Sequence, residues 1–462
     1  MKTQTLDAIP AEAKRVAIAV IAGLIAPILD TTIVTIGFDN LTTAMSAPVG
    51  TVQWTNTGYL LALAVAVPLA GWSALRFGSR AVWRTLSAFF LGSILCAAAW
   101  NIQALIAFRV LQGLGAGLLF PLMTSVLVAA SGGRALGRLV ALVSVPTALG
   151  PILGPVVGGV ILHWLDWRWL FLVNVPVCLI ALALSGRIPD DRSPGRTRLD
   201  WLGLALLAPG LVGVLLGLSN MHAGIARADV LVPAAIGVAL LAAFVVRGAR
   251  AAGPTLVDVR VFARQSVWSS SVGLFFFGVT SFGAMLALPL YLQQVRGETV
   301  LAAAFVLVPQ GIGALVSRTV GGRLTDAIGA RWVAVAGFAV VAAATVPFAL
   351  ADESTGLIWL MAALFVRGLG LGVLISPVMS AAFVGLPAAY KHDASILTRT
   401  FQQVGGSVGT AVVAVVLTAG SAGVGGFRDA FWWTVALTAL GAMLAVRLPG
   451  TTETAPALKP TH

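Results

Sequence analysis

Charge is what this chain has least of. Asp, Glu, Lys and Arg make up 10% of its 462 residues, against about 25% in a soluble protein. A sequence so poor in charge and 58% hydrophobic has no water to face over most of its length. That excludes an ordinary soluble domain and points to an all-α polytopic membrane protein. Cysteine is nearly missing too. Cys96 and Cys178 both lie in apolar stretches and read as small packing residues, with no disulfide framework or metal site. His163, His222 and His392 fall near the ends of apolar stretches without paired ligand spacing. No nucleophile–base pair, metal cluster or phosphate loop stands within the apolar stretches, which argues against an enzyme. The net charge of +12 could suit nucleic acid, but no basic tract with interleaved aromatics exists, and the arginines sit in short loops.

What the chain does have is a succession of apolar runs long enough to cross a bilayer as helices, about 20 residues each. They divide into six runs, a polar linker, two more runs, a second polar break and six further runs. The expected architecture is therefore fourteen transmembrane helices. Residues 1–186 would form one six-helix bundle, 187–265 a linker with two extra helices, 266–450 a second six-helix bundle and 451–462 a cytoplasmic tail. The first run is too long for a signal peptide and lacks a small-residue cleavage site, so it reads as retained. Of the 29 Lys and Arg, 23 fall in loops and tails on one side, four on the other and two within runs. Such a bias places both termini in the cytoplasm. The two sets of six look like distant copies: GWSALRFGSR (Gly71–Arg80) matches GRLTDAIGAR (Gly322–Arg331), and RVLQGLGAGLLFP (Arg109–Pro121) matches RGLGLGVLISP (Arg367–Pro377). Paired halves of this kind hold their site near the midplane between them.

The first run, RVAIAVIAGLIAPILDTTIVTIG, is apolar beyond its first residue except at Asp30 and its threonines. An ionised carboxylate at mid-bilayer costs roughly 2.5–3.5 kcal/mol, so it needs a proton, an ion or a cationic ligand to justify it. The alternative is a helix-end residue near the headgroups. Arg109 interrupts the fourth run in the same way and needs a carboxylate, backbone carbonyls or water; the alternative is snorkelling to the cytoplasmic interface. Asp30 and Arg109 are natural partners. In the fifth run, Gly150, Gly154 and Gly158 recur every four residues, which suits close helix packing. Pro151 and Pro155 favour a bend. A close, bendable contact suits a helix on which two halves rock; the alternative is tight packing alone. Trp54, Tyr59, Gln112 and Phe120 on first-half runs, and Phe276, Gln310 and Arg367 on second-half runs, are further substrate-pocket candidates. Aromatics at helical spacing are more often packing, but Tyr59 and Gln112 are polar groups that must find partners.

Several of these stretches together resemble the major facilitator superfamily, and within it the 14-spanner drug:proton antiporters. LDTTIVTI (Leu29–Ile36) is similar to the first-helix motif of that family, QWTNTGYLLA (Gln53–Ala62) to its second-helix entry, and RVLQGLGAG (Arg109–Gly117) to its fourth-helix motif. GPILGPVVGG (Gly150–Gly159) is similar to its helix-five antiporter motif, WRWLFLVNVP (Trp167–Pro176) to its helix-six entry, and FQQVGGSVGTA (Phe401–Ala411) to a second-half motif. The resemblance implies proton-coupled export of amphipathic, often cationic small molecules by alternating access, which is multidrug efflux. The protein would act as a multi-pass monomer in the bacterial inner membrane. Its partners would be protons, small-molecule substrate and lipid, and it would need no cofactor beyond the proton gradient. Asp30 would be the protonation and cation-recognition site, and Arg109 would take part in proton coupling. Gate and hinge roles would fall to Leu75, Arg76, Gly78, Arg80, Asp326, Gly329 and Arg331 in the loops, and to Gly150, Pro151, Gly154, Pro155, Gly158 and Gly159 in helix five. A dedicated exporter of one metabolite or antibiotic, or a non-transporting receptor on the same scaffold, are the competing readings.

One departure from the family pattern stands out. Leu75 occupies the loop position where the family usually carries an Asp that helps hold the cytoplasmic gate shut, whereas Asp326 keeps the equivalent place in the second half. The first-half gate is then looser, or fastened by other loop charges such as Asp393 with nearby arginines. Leu75→Asp is expected to change the transport rate and the balance between inward- and outward-facing states, as followed by transport in proteoliposomes. An unchanged rate and balance would contradict the assignment.

Overall fold

The computed structural model describes residues 11–131, 143, 150–189, 199–220, 227–250, 257–352, 354–387, 390–419 and 423–449. All regular structure among them is helical, as expected where the backbone must satisfy its own hydrogen bonds in hydrocarbon. The longer helices of the first half are α1 (Ala11–Ile36), α2 (Trp54–Phe77), α3 (Leu86–Ala97), α4 (Ile102–Ser131), α5 (Gly150–Trp164) and α6 (Asn174–Ala183). A pair follows, α7 (Trp201–Asn220) and α8 (Ala228–Arg250). The second half holds α9 (Gln265–Leu290), α10 (Val300–Ile328), α11 (Ala330–Leu350), α12 (Leu357–Ala381), α13 (Lys391–Ala419) and α14 (Val424–Ala445). Among the described residues, nine helical stretches are long and apolar enough to cross a membrane, and shorter apolar helices run over Leu153–Trp164 and Trp201–Gly217.

The packing repeats. In the first half α2 and α3 lie on α4, and α5 and α6 lie on α1. In the second half α10 and α11 lie on α12, and α13 and α14 lie on α9. The contacts between the halves also come as an equivalent pair, α2 against α13 and α10 against α5. The loops repeat in detail. Gly78 and Gly329 both take a left-handed φ, 84° and 86°, a region that glycine enters without steric cost. Two residues later, Arg80 Nε donates to the Ile188 carbonyl (2.8 Å) and Arg331 Nε donates to the Leu448 carbonyl (2.7 Å). Each arginine thus fastens the junction between the second and third helices of its half to the end of that half's sixth helix. Arg76 is exposed beside them. The side chains of Leu75, Phe120, Pro151 and Asp326, and the tail from residue 450, lie outside the described residues.

Packing differs between the two ends. At the end carrying Ile36 and Tyr291, one apolar core joins both halves: Ile33, Phe38 and Phe171 from the first with Leu288, Tyr291 and Phe431 from the second. A π-helical turn, Tyr291–Val295, follows α9. From it, Gln293 Nε2 donates to the Ile36 carbonyl (3.2 Å) and Gln294 Nε2 to Asp39 Oδ1 (2.8 Å). At the other end the first half packs around Trp83, Leu86 and Phe89, in a core that Ile396 of α13 also joins. The second packs separately around Leu274, Phe338 and Leu374. Phe276 belongs to that second core and stacks edge-on with Phe275, so its place is in packing. The α7–α8 pair is tied by Arg247 and Asp200, bonded at 2.7 and 2.8 Å. It rests on α2 and α13 through α7.

Three glycines of α5 pack against a helix of their own half. Gly150 faces Ile28, Gly154 faces Thr32 and Gly158 faces Ile33 and Ile36, all on α1 of the same half. Thr32 Oγ1 donates to the Gly150 carbonyl (3.2 Å) across this seam. Gly159, one residue round the helix, is the one that faces Ala304 of the other half. Pro155 is buried within α5. A side chain at 154 would have to part α1 from α5. Gly154→Leu is expected to destabilise the fold by roughly 1–3 kcal/mol, as overpacking does, read as a lowered thermal midpoint in detergent; an unchanged midpoint would show that the seam is loose.

Candidate functional site

Asp30 and Arg109 meet in the interior of the first half. Both side chains are fully buried, so neither reaches the surface as the headgroup and snorkelling alternatives require. Arg109 Nη1 donates to Asp30 Oδ2 in a short ion pair. The guanidinium is fixed on its other sides as well. Its Nε donates to the Thr55 carbonyl on α2 (2.9 Å) and its Nη1 to Gln112 Oε1 (3.0 Å). Its Cζ lies 4.2 Å from the centre of the Tyr59 ring, a cation–π contact suited to arginine. Tyr59 is held in turn, its hydroxyl donating to the Pro27 carbonyl (3.3 Å) one turn before Asp30.

The carboxylate has a second set of partners. Asn174 Nδ2 on α6 donates to Asp30 Oδ1 at 2.8 Å, and Gln112 Nε2 approaches the same oxygen at 3.5 Å. Gln112 is itself anchored on α3, where its Nε2 donates to Ser93 Oγ (2.7 Å) and its Oε1 accepts from the Cys96 thiol (3.4 Å). Five helices therefore converge on one ion pair: α1, α2, α3, α4 and α6. Two buried atoms of this network, Arg109 Nη2 and Asn174 Oδ1, have no partner among the described residues. A fully buried pair survives only when its remaining donors and acceptors are met, so those two atoms are where the network can accept a change.

Close helix approach makes this geometry accessible. Gly113 and Gly117 of α4 lie against the carbonyls of Tyr59 and Leu63 on α2, and Gly115 lies against Phe89 on α3. The second half repeats the arrangement. Gly368 and Gly372 of α12 lie against the carbonyls of Gln310 and Ala314, and Gly370 lies against Val341. These contacts set the register between the halves. Arg367 precedes Gly368 as Gln112 precedes Gly113, so Arg367 is the counterpart of Gln112. Arg109 corresponds to Leu364. The sequence match beginning at the two arginines is thus out of register by three residues at that point, about 4.5 Å along a helix.

The second-half copy carries no carboxylate among its partners. Arg367 donates to Gln310 Oε1 (2.7 Å), Thr345 Oγ1 (3.2 Å) and the Thr280 carbonyl (3.0 Å), all neutral acceptors. Trp54 is partly buried at the start of α2. One turn further on, Thr57 meets Thr410 of α13 at 3.3 Å across the seam between the halves. Beside it, Gln53 and Asn56 are buried and both atoms of each amide lack a partner among the described residues. They are spare hydrogen-bonding capacity at the start of α2, the helix whose Thr55 carbonyl accepts from Arg109.

Asn174, Ser93 and the Thr55 carbonyl are site groups that the sequence did not single out, and Cys96 does more than pack. Asn174 could have been found: it is an amide in an apolar run, the same signal that marked Gln112. The carbonyl could not, because every residue has one. Removing one partner from the central pair leaves a buried charge, at a cost of about 3–5 kcal/mol. Arg109→Gln is therefore expected to destabilise strongly, and Asp30→Asn with Arg109→Gln to lose less than the two single changes add up to. Thermal unfolding of the purified variants measures this; strict additivity would show that the two charges do not interact.

Comparison with known proteins places this geometry. The sequence profile of the Major Facilitator Superfamily matches residues 18–410. A multidrug resistance protein B homolog of Mycobacterium tuberculosis is 38% identical over 407 residues, 87% of this chain and 75% of the relative. The lincomycin resistance protein LmrB of Bacillus subtilis is 28% identical over 87% of this chain and 84% of its own. Among solved structures, a D-xylose-proton symporter superposes with a TM-score of 0.70 at 14% identity, covering 95% of this chain and 98% of the symporter; at that identity the likeness is one of fold. With a profile that spans most of the chain and relatives that cover most of their own length, the chain belongs to the Major Facilitator Superfamily.

Proposed function

We propose that this transporter is a proton-coupled antiporter that exports amphipathic, often cationic small molecules by alternating access. The observation that carries the reading is the fully buried Asp30–Arg109 pair, the one ion pair among the described residues with both partners wholly enclosed. A carboxylate in that position has two stable conditions. Ionised, it is neutralised by Arg109 or by a cationic cargo that takes the place of the guanidinium. Protonated, it needs no counter-charge, and Arg109 falls back on the Thr55 carbonyl, Gln112 and the Tyr59 ring. A proton and a cargo cation therefore compete for one oxygen pair, which is what antiport requires. The names borne by the multidrug and lincomycin resistance relatives support export.

In this reading the chain crosses the bacterial inner membrane fourteen times, as two six-helix bundles spanning residues 1–186 and 266–450 with the α7–α8 pair in the 187–265 linker. Both termini are cytoplasmic, and the protein works as a monomer without a cofactor. The joint core around Tyr291 then closes the outer end, while towards the inner end a core around Leu274, Phe338 and Leu374 belongs to the second half alone, and we read this as an inward-facing arrangement. Transport swings the halves about the α2–α13 and α5–α10 seams. Each entering proton supplies about 2.3 kcal/mol per 100 mV of membrane potential, plus its concentration gradient. With one central carboxylate, monovalent cations and neutral molecules fit better than dications. The test is accumulation of ethidium by proteoliposomes under an imposed pH gradient. The native chain is expected to accumulate it against its gradient, and Asp30→Asn only to equilibrate it. Equal gradient-driven accumulation by both would overturn the assignment.

A further inference from the structure

We infer that Asn174 is the positioning residue that lets Asp30 be stable both with and without its proton, by turning its side-chain amide. The inference rests on the proton-coupling role proposed for Asp30. In the structure Asn174 is 1% exposed and its Nδ2 donates to Asp30 Oδ1 at 2.8 Å. That arrangement serves an ionised carboxylate, which can only accept. Protonation turns the same oxygen into a donor, and a donor hydroxyl facing an amide NH2 has no acceptor there. Leaving it unmet in a buried site carries the full desolvation penalty.

The neighbouring groups narrow where the new donor can go. Oδ2 faces Arg109, a donor only. Gln112 Oε1 already accepts from Arg109 and from the Cys96 thiol. The Tyr59 hydroxyl donates to the Pro27 carbonyl and makes no hydrogen bond to Asp30 among the described residues. Asn174 Oδ1 is different: it is buried, adjacent and without a partner among the described residues. A half-turn of the amide exchanges its two ends, so that Oδ1 accepts from the protonated carboxyl. The proton arrives at Asp30 Oδ1, the hydrogen bond from Asn174 Nδ2 is exchanged for one to Asn174 Oδ1, no other covalent bond is made or broken, and the only charge that changes is that of Asp30. The titratable or charged groups facing Asp30 are Arg109 on α4, Tyr59 on α2, Cys96 on α3 and Cys178 on α6. Of these only Arg109, a donor, is hydrogen-bonded to Asp30 among the described residues.

Infrared difference spectra of the full chain in proteoliposomes, acid minus alkaline and without cargo, test this directly. The native chain is expected to show a carboxylic-acid carbonyl band that is absent in Asp30→Asn. In Asn174→Leu, which offers neither donor nor acceptor, that band should move to higher wavenumber as the acid loses its acceptor. Asn174→Gln, which keeps both, should restore it toward the native position. In the otherwise native chain carrying isotope-labelled asparagine, an asparagine amide band should move between the two conditions, and that movement should vanish in Asp30→Asn. This last measurement needs no change at 174 and stands even if Asn174→Leu fails to fold. An Asp30 band that is unmoved in Asn174→Leu, or an asparagine band that ignores pH, would overturn the switch while leaving Asp30 as the proton site. The absence of any Asp30 band would overturn the proton-coupling role itself, and the inference with it.

Discussion

A lone charge in the middle of an apolar bundle is intolerable, and most of this structure answers that constraint. Asp30 and Arg109 neutralise one another, but neutrality alone does not hold a buried pair. The remaining lone pairs and protons must be met, or the desolvation cost exceeds the attraction. Hence the surrounding groups come from five helices, and each is itself anchored. The Thr55 carbonyl is supplied by α2, the Gln112 amide is pinned through Ser93, and Asn174 comes from α6. The glycines of α4 exist to bring those helices close enough. Where a side chain would stand at Gly113, the Tyr59 carbonyl already lies.

The two halves share a scaffold and differ in chemistry. Their helices pack in the same pairs, their loops turn on glycines with nearly the same φ, and their loop arginines clasp equivalent carbonyls. Yet the position of Gln112 is Arg367 in the second half, and that of Arg109 is Leu364. A duplicated frame gives two bundles that can rock against one another. Among the described residues only the first has a carboxylate at its centre, so in the proposed cycle protonation acts on one half, while the other holds Arg367 on neutral groups. The core at the Tyr291 end draws on both halves about equally, whereas at the other end one core belongs to the second half alone.

The sequence shows much of this because hydrocarbon makes polar residues conspicuous. Asp30, Arg109, Gln112 and Tyr59 stand out in apolar runs, and the structure gathers all four within one network. Repeated loops make the internal copy visible before any coordinates. What stays hidden has physical reasons. Backbone carbonyls such as that of Thr55 have no sequence signature. Ser93 and Cys96 are small enough to pass for packing. The register of α12 against α4 follows from glycine contacts with neighbouring helices, so a match anchored on two arginines misplaces it. The α5 glycines reveal by their spacing that they face a helix, but not which one, and the partner is α1.

In the proposed cycle the carboxylate at position 30 exchanges a proton for cargo. The most direct measurement of that exchange is proton movement driven by cargo alone. Ethidium is added outside proteoliposomes that hold a pH-sensitive dye, with no pH gradient imposed. If the account holds, ethidium entering through the native chain drives protons out and the lumen becomes more alkaline, whereas Asp30→Asn produces no pH change. Ethidium entry through the native chain with a silent dye, or an equal signal from Asp30→Asn, would contradict it.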